Sequence, residues 1–257
     1  MTPDLLWTTA TLLAAPCVGS FVGLLTLRLP AGRPWIVARS ACDGCRRELG
    51  VLDLAPIVGF ALLQGRCRTC RAPIPRRYPL IEIGCLLIAV WSVAAQSGPE
   101  IPATAVFGWG LLAIAIVDAE NLWLPDVLTL PLGLAGWLAT VALGLAAPLE
   151  PLIGAAVGYG FLTAVAWIYK TVRGREGLGG GDPFLLGAIG AWVGWAGLPS
   201  VLLWACGAGL AVAVLQPLLG RRASMTQALP FGTFLAIGAW LTWLIDPIST
   251  PLLDRTS

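Results

Sequence analysis

Glu176-Gly177-Leu178-Gly179-Gly180-Gly181-Asp182, continuing into Pro183-Phe184-Leu185-Leu186, lies between two strongly apolar segments. Consecutive glycines let a backbone turn tightly and let other groups come close. Asp182 stands at the mouth of the next apolar run. Ionisable groups in or near hydrocarbon are costly and usually mark function, so this acid needs a partner. Asp118, which ends another apolar run, is the best candidate. If both runs cross a membrane, the two carboxylates can share one side of it.

The composition requires a membrane. The chain is 57% hydrophobic, 12% charged and has a mean hydropathy of +0.82. Soluble domains carry about 25% charged residues. Runs of about 20 apolar residues span a bilayer as helices. Eight are expected, at roughly 5–27, 79–97, 102–118, 127–146, 152–170, 183–197, 199–219 and 229–246. Gly98-Pro99, Pro148, Gly197-Leu198-Pro199 and Pro230 punctuate their borders. The first run follows Asp4 rather than a basic stretch and is long enough to span, so it reads as a retained helix. The sixth is short, and its glycines suggest close small-xxx-small helix contact. With eight spans, fifteen of the sixteen basic residues fall on one side, ten of them arginines between Arg28 and Arg77. Lys170, Arg173, Arg175, Arg221 and Arg222 join them, and only Arg255 lies opposite. The positive-inside rule makes that side cytoplasmic, and Asp118 and Asp182 both border it. The expected architecture is therefore an all-α polytopic membrane protein with one small cysteine-rich cytoplasmic loop domain, zinc-ribbon-like in pattern. Its parts are a first helix at 1–30, the cysteine domain at 31–78 and a transmembrane core at 79–257. No internal repeat is evident.

Cys42-Asp43-Gly44-Cys45 and Cys67-Arg68-Thr69-Cys70 are two CxxC knuckles. Four thiolates at this spacing suit a tetrahedral structural zinc ion. Cytosolic thiols stay reduced, which favours zinc over disulfides. Redox-active pairs and unligated thiols remain the alternatives. Cys17, Cys85 and Cys206 lie in apolar runs and read as small hydrophobes. The chain has no histidine, so HExxH zinc hydrolysis, Ser-His-Asp and Cys-His catalysis are excluded.

Two carboxylates held close share a proton, one acting as base toward water and the other as acid. That is the chemistry of aspartyl proteolysis. Around Asp118, Glu120 and Asp126 read as solvated loop acids, with Pro125 starting the next helix. Glu176 could serve the site or sit on a solvated turn. A glycine-rich turn before a helix can also cradle phosphate, but no lysine follows at P-loop spacing.

The whole pattern resembles the bacterial prepilin leader peptidases, bifunctional membrane enzymes of the GxGD aspartyl class. The resemblance runs through Gly19-Ser20-Phe21 and Arg28-Leu29-Pro30, Arg39-Ser40 with Cys42 and Cys45, and Gly65-Arg66 with Cys67 and Cys70. It continues through Arg77-Tyr78-Pro79, Glu82, Asp118 to Pro125-Asp126, Gly179-Gly180-Gly181-Asp182 and Pro230-Phe231-Gly232. It implies Asp118 and Asp182 as the catalytic pair, with Gly179, Gly181 and Glu176 supporting them. It also implies cleavage of type IV prepilins or type II secretion pseudopilins at the cytoplasmic face of the inner membrane. The new N-terminus would then be methylated from S-adenosylmethionine. The chain departs from the family's pattern at Gly23 (usually Asn), at Glu120-Asn121 (usually Asp-His), and at Phe184 after Pro183, where a Lys is common. None of these removes a catalytic carboxylate.

Two other classes compete. A proton-coupled transporter could use the aspartates as a relay, but it lacks paired broken helices in matching repeats and leaves the cysteine loop unexplained. A non-catalytic assembly factor with a zinc module would be silent to aspartate changes. No nucleic-acid partner is expected.

Overall fold

The structure is a computed structural model that describes residues 3–35, 40–42, 44–50, 52–175, 177–218 and 229–245. Among the described residues the regular elements are helices, in the order α1 (Pro3–Arg28), α2 (Val58–Leu62), α3 (Arg77–Ala95), α4 (Glu100–Asn121), α5 (Asp126–Ala142), α6 (Glu150–Arg173), α7 (Asp182–Leu218) and α8 (Phe231–Ile245). Five of these, α1, α3, α4, α6 and α7, are long and apolar enough to cross a membrane, while α5 and α8 are apolar but shorter. The chain divides into two compact units, Met1–Trp109 and Gly110–Ser257.

The sixth and seventh expected spans form one element of 37 residues. Unbroken, it would be roughly 55 Å long, far more than a hydrocarbon core of about 30 Å requires. It breaks at Gly194, where φ is 68° and ψ is 172°. The expected border at Gly197-Leu198-Pro199 is thus displaced to Gly194. Left-handed φ costs glycine nothing, and Pro199 follows in the second turn of the second arm. The arms run antiparallel, as their neighbours show. Trp192 Nε1 donates to Leu132 O at 2.8 Å, and the Trp192 ring meets Trp243 edge-on at 5.6 Å. Past the break, Gly197 lies near Thr242, Gly238 packs on the Val201 backbone, and Gly209 faces Phe234. Counting the arms separately, the described residues contain eight apolar helical segments besides the single-turn α2. Arg221 and Arg222, used above for orientation, lie outside the described residues, as does Arg255.

Close glycine packing holds the second unit together. Gly154 and Gly158 of α6 press on the backbone at Gly190 and Leu186 of α7, where a Cβ on either glycine would collide. These are the small-residue contacts anticipated for the sixth span. Gly136 of α5 likewise accommodates the Trp192 ring. In the first unit α1 and α3 pair antiparallel: Gly19 packs on the Glu82 backbone, Gly23 on the Tyr78 ring, and Arg77 Nη2 donates to Thr26 Oγ1 at 2.7 Å. At the departing Gly23, a Cβ would lie 3.2 Å from the Tyr78 ring.

These contacts predict that Gly154→Leu destabilises the detergent-solubilised protein by about 1–3 kcal/mol, the usual cost of overpacking. Gly160→Leu, on the same helix with open space around it, should leave the melting temperature unchanged. Equal melting temperatures for the two variants would contradict the packing.

Candidate active site and metal centre

Asp118 and Asp182 are both buried, at 5% and 4% exposure. Each reaches its place for a local reason. Asp118 sits in the last turn of α4, and Asp182 is the first residue of α7. Buried carboxylates need donors, and here the backbone supplies them. Gly179 N–H donates to Asp182 Oδ2 at 2.8 Å. Thr233 N–H and Oγ1 donate to Asp118 Oδ2 at 2.7 and 3.1 Å. Thr233 lies in the first turn of α8, whose N–H groups have no partner within the helix. Its hydroxyl also contacts Ala115 O at 3.0 Å. Both aspartates are thus fixed through Oδ2, which leaves lone pairs on Oδ1 for water or a peptide.

The glycines of the 179–181 run do not supply left-handed turns, since none of the three has a positive φ. They supply room. A Cβ on Gly181 would fall 2.5 Å from Leu124 Cβ and 2.9 Å from Leu124 O. A Cβ on Gly179 would fall 3.1 Å from Asp182 Oδ2, whereas Gly180 faces open space. Leu124 also meets Gly232, which lies against the Asp118 carboxyl carbon. One buried leucine therefore touches the loop before Asp182 and the helix start that holds Asp118. Pro125, extended at φ −79° and ψ 132°, precedes α5 and delivers Leu124 to this position. Glu120 and Asp126 are exposed, and Glu176 lies outside the described residues. Sequence reasoning missed Thr233 and Leu124. The signal for Thr233 was a hydroxyl residue directly after Pro230-Phe231-Gly232 at a helix start; an ordinary leucine in a loop offers none. At the position where a lysine is common, Phe184 packs on Tyr159 with centroids 5.0 Å apart.

In the first unit the sulfurs of Cys42, Cys45, Cys67 and Cys70 all lie within 4.8 Å of one another, and none is in a disulfide. Cys42 and Cys70 Sγ are 3.6 Å apart. Four thiolates at about 2.3 Å from one tetrahedral ion would be about 3.8 Å apart, so the cluster can hold a metal ion. The two knuckles repeat each other at an offset of 25 residues. Cys42 N–H bonds Arg47 O and Arg46 N–H bonds Cys42 O; Cys67 N–H bonds Ala72 O and Arg71 N–H bonds Cys67 O. Arg46 and Arg71 both take left-handed φ, at 61° and 59°. The bridges Ala41–Glu48 and Arg66–Pro73 match as well. This local repeat was not anticipated, because besides the cysteines only Arg46 and Arg71 recur as residue types. N–H groups of Cys70 and Thr69 bring the Cys67 thiol down to about 6, while, against the Ala72 N–H, burial and the other three sulfurs push Cys70 up to about 11, so Cys67 is the first of the two to become a thiolate.

Asp53 ties the knuckles together. Its Oδ2 bonds Arg47 Nη2 at 2.6 Å and accepts Gly50 N–H at 3.1 Å, while Oδ1 lies 3.5 Å from Arg68 Nε. The Gly50 N–H and the two guanidiniums, working against burial, hold its carboxyl below the ordinary carboxylate value. A depressed native pKa contributes stability above the ordinary value and loses it as pH falls through the native one. Asp53→Asn should therefore lower the melting temperature at neutral pH by several degrees. The gap to wild type should close as pH drops below the ordinary carboxylate range; a gap that persists in acid would contradict this.

Comparisons with known proteins agree with this arrangement. Residues 13–96 match the bacterial peptidase A24 N-terminal domain, and residues 105–214 match the type IV leader peptidase family. Curated relatives carry the name prepilin leader peptidase/N-methyltransferase, among them three from different genera. That of Burkholderia pseudomallei strain K96243 is 43% identical over 216 residues, covering 83% of this chain and 69% of the relative. That of Aeromonas hydrophila is 38% identical over 211 residues, covering 81% and 72%. That of Pseudomonas aeruginosa PAO1 is 37% identical over 262 residues, covering 91% and 89%. No solved structure matches the chain. With paired buried aspartates, a four-cysteine cluster and multiple apolar helices now accounted for residue by residue, the chain belongs to the type IV leader peptidase family.

Proposed function

We propose that this membrane protein is an aspartyl endopeptidase that removes leader peptides from type IV prepilins or type II secretion pseudopilins at the cytoplasmic face of the inner membrane, and that it then methylates the new N-terminus. The observation that carries the reading is the pair of buried carboxylates, Asp118 and Asp182, each fixed by backbone N–H groups, with their supports Gly181 and Gly232 meeting at Leu124. The relatives' shared name supports both activities.

In this reading the ionised carboxylate takes a proton from water, and the hydroxide adds to the scissile carbonyl carbon. The protonated carboxyl gives its proton to the carbonyl oxygen. The tetrahedral diol then collapses: the C–N bond breaks, the nitrogen leaves with the proton taken from water, and one diol hydroxyl returns its proton to the carboxylate that had protonated the carbonyl oxygen. No covalent enzyme intermediate forms. Thr233 and Gly179 keep the carboxylates oriented through this exchange, while Leu124, between Gly181 and Gly232, keeps their supports in register. A short basic leader would stay in the arginine-rich zone while the apolar pilin helix lies in the bilayer, which brings the scissile bond to the interface. Residues 79–257 would form the protease core and residues 31–78 the cysteine domain. Cys42, Cys45, Cys67 and Cys70 would hold one structural zinc ion, with no ligand position left open for catalysis. S-adenosylmethionine would supply the methyl group; among the described residues no group marks its site.

Co-expression with a prepilin tests the proposal by gel shift and mass spectrometry. Wild type should yield a product shorter by its leader and heavier by one methyl. Asp182→Asn should accumulate in the membrane with cleavage reduced about a hundred- to ten-thousand-fold. Gly181→Ala, which displaces Leu124, should lose about a hundredfold, whereas Gly180→Ala should cleave normally. Full cleavage by Asp182→Asn would refute the reading, and failure of wild type on several pilins would turn attention to the transporter. Purified protein should also carry about one equivalent of zinc, released by Cys→Ser at any of the four positions. Metal-free protein with four alkylatable thiols would refute the zinc assignment.

A further inference from the structure

The loop between α1 and α3 holds a stretch that fits neither a polar loop nor a metal knuckle. Residues 49–63 read LGVLDLAPIVGFALL, with Asp53 as the single ionisable group. That one charge is turned inward, its side chain 5% exposed and paired with Arg47. The apolar side chains are turned outward instead: Leu52 is 70% exposed, Leu54 41%, Val58 57% and Leu62 79%. A water-facing surface would hide these leucines and display the acid.

The depth of this stretch is fixed by one hydrogen bond. Ile57 N–H donates to Glu82 Oε2 at 2.7 Å. Glu82 is buried in α3, five residues past Arg77, which places it about 7.5 Å along the helix. The 19 residues of α3 reach about 28 Å, so nearly the whole helix is needed to cross a core of about 30 Å. Arg77 must then lie at the membrane boundary and Glu82 inside it, and Ile57 lies level with Glu82. The start of the same loop also folds back along α1, where Trp35 meets the Phe21 ring at 6.3 Å, well before the helix ends at Arg28.

Backbone at that depth must find its partners inside the protein, and this stretch does. Gly59, Ala61 and Leu63 N–H groups bond Ala55, Ile57 and Gly59 carbonyls, closing the single turn of α2. Ile57 sits at φ 61°, an unfavourable region for a β-branched residue, at the tip where the turn begins. Its N–H precedes the turn, and the Glu82 carboxylate accepts it. Arg66, Arg71 and Arg76, all exposed, flank the stretch with charge that complements anionic headgroups.

We propose that residues 52–62 dip into the bilayer leaflet at the Arg28 and Arg77 end of the helices. Leu52, Leu54, Val58 and Leu62 lie among lipid acyl chains, with the flanking arginines at headgroup level, and Glu82 is the positioning residue that anchors the tip. The cysteine module is then seated on the membrane through its own apolar edge, in addition to its two tethering helices.

The test is photocrosslinking in the full-length protein, reconstituted in vesicles of phosphatidylethanolamine and phosphatidylglycerol. p-Benzoylphenylalanine is placed singly at Val58 or Leu62. Leu87, 62% exposed on α3, serves as the lipid-facing reference, and Thr69, exposed on a knuckle, as the aqueous one. After irradiation, mass spectrometry should find phospholipid adducts at Val58 and Leu62 in yields comparable with Leu87, and none at Thr69. Yields at Val58 and Leu62 as low as at Thr69 would overturn the proposal, as would crosslinks there to a second copy of the chain or to an added prepilin. Glu82→Ala should reduce the lipid adduct at Leu62 and leave Leu87 unchanged, whereas Glu82→Gln, whose amide oxygen can still accept the Ile57 N–H, should restore it. An unchanged Leu62 adduct in Glu82→Ala would overturn the anchoring role.

Discussion

A carboxylate buried among apolar helices has to be given hydrogen-bond donors, and backbone N–H groups meet that demand for Asp118 and Asp182. Apart from the small Thr233 hydroxyl, side-chain donors would bring charge or bulk into a crowded helix end. Backbone N–H groups bring neither, but they must come within about 3 Å, which requires bare backbone nearby. That requirement explains Gly179 and Gly181 before Asp182 and Gly232 beside Asp118. It also explains why Leu124, rather than a polar residue, fills the space between these supports. The site is a packing solution first, and its chemistry follows from the two carboxylates that the packing holds.

The same logic extends along the second unit. α8 can offer Thr233 to Asp118 only if its first turn lies at the end of the bundle where α7 begins. The reversal at Gly194 arranges this by folding the second arm of α7 back along the first, so that α8 can pair antiparallel with it. Gly154 and Gly158 then let α6 close against the first arm at backbone distance. A polar pair in an apolar environment thus depends on residues, mostly glycines, that have no chemistry of their own.

Much of this was legible in the sequence because it is written in residue types. Apolar run lengths marked the helices, CxxC spacing marked the cysteine cluster, and two acids at the borders of apolar runs marked the carboxylate pair. The glycines of the sixth span foretold the contact with α6. What stayed hidden depends on geometry between distant residues. Thr233 is 115 residues from the carboxylate it holds, and only its place after Pro230-Phe231-Gly232 sets it apart from any other threonine. The helix break falls at Gly194 although Gly197-Leu198-Pro199 carries the stronger turn signal, because only the packing reveals which glycine takes left-handed φ. The repeat of the two knuckles lies in their backbone bonds, and their intervening residues, Asp-Gly and Arg-Thr, conceal it. Asp53, which no sequence motif singled out, links both knuckles.

The central claim is that Asp118 and Asp182 act as one unit on a single water molecule. Single-turnover cleavage of a purified prepilin by Asp118→Asn, Asp182→Asn and the double variant measures this most directly. Residues that act as a unit are strongly non-additive. The account predicts that each single variant falls to the level of the double variant, so that the second substitution costs nothing further. Losses that multiply, or substantial cleavage retained by either single variant, would contradict it.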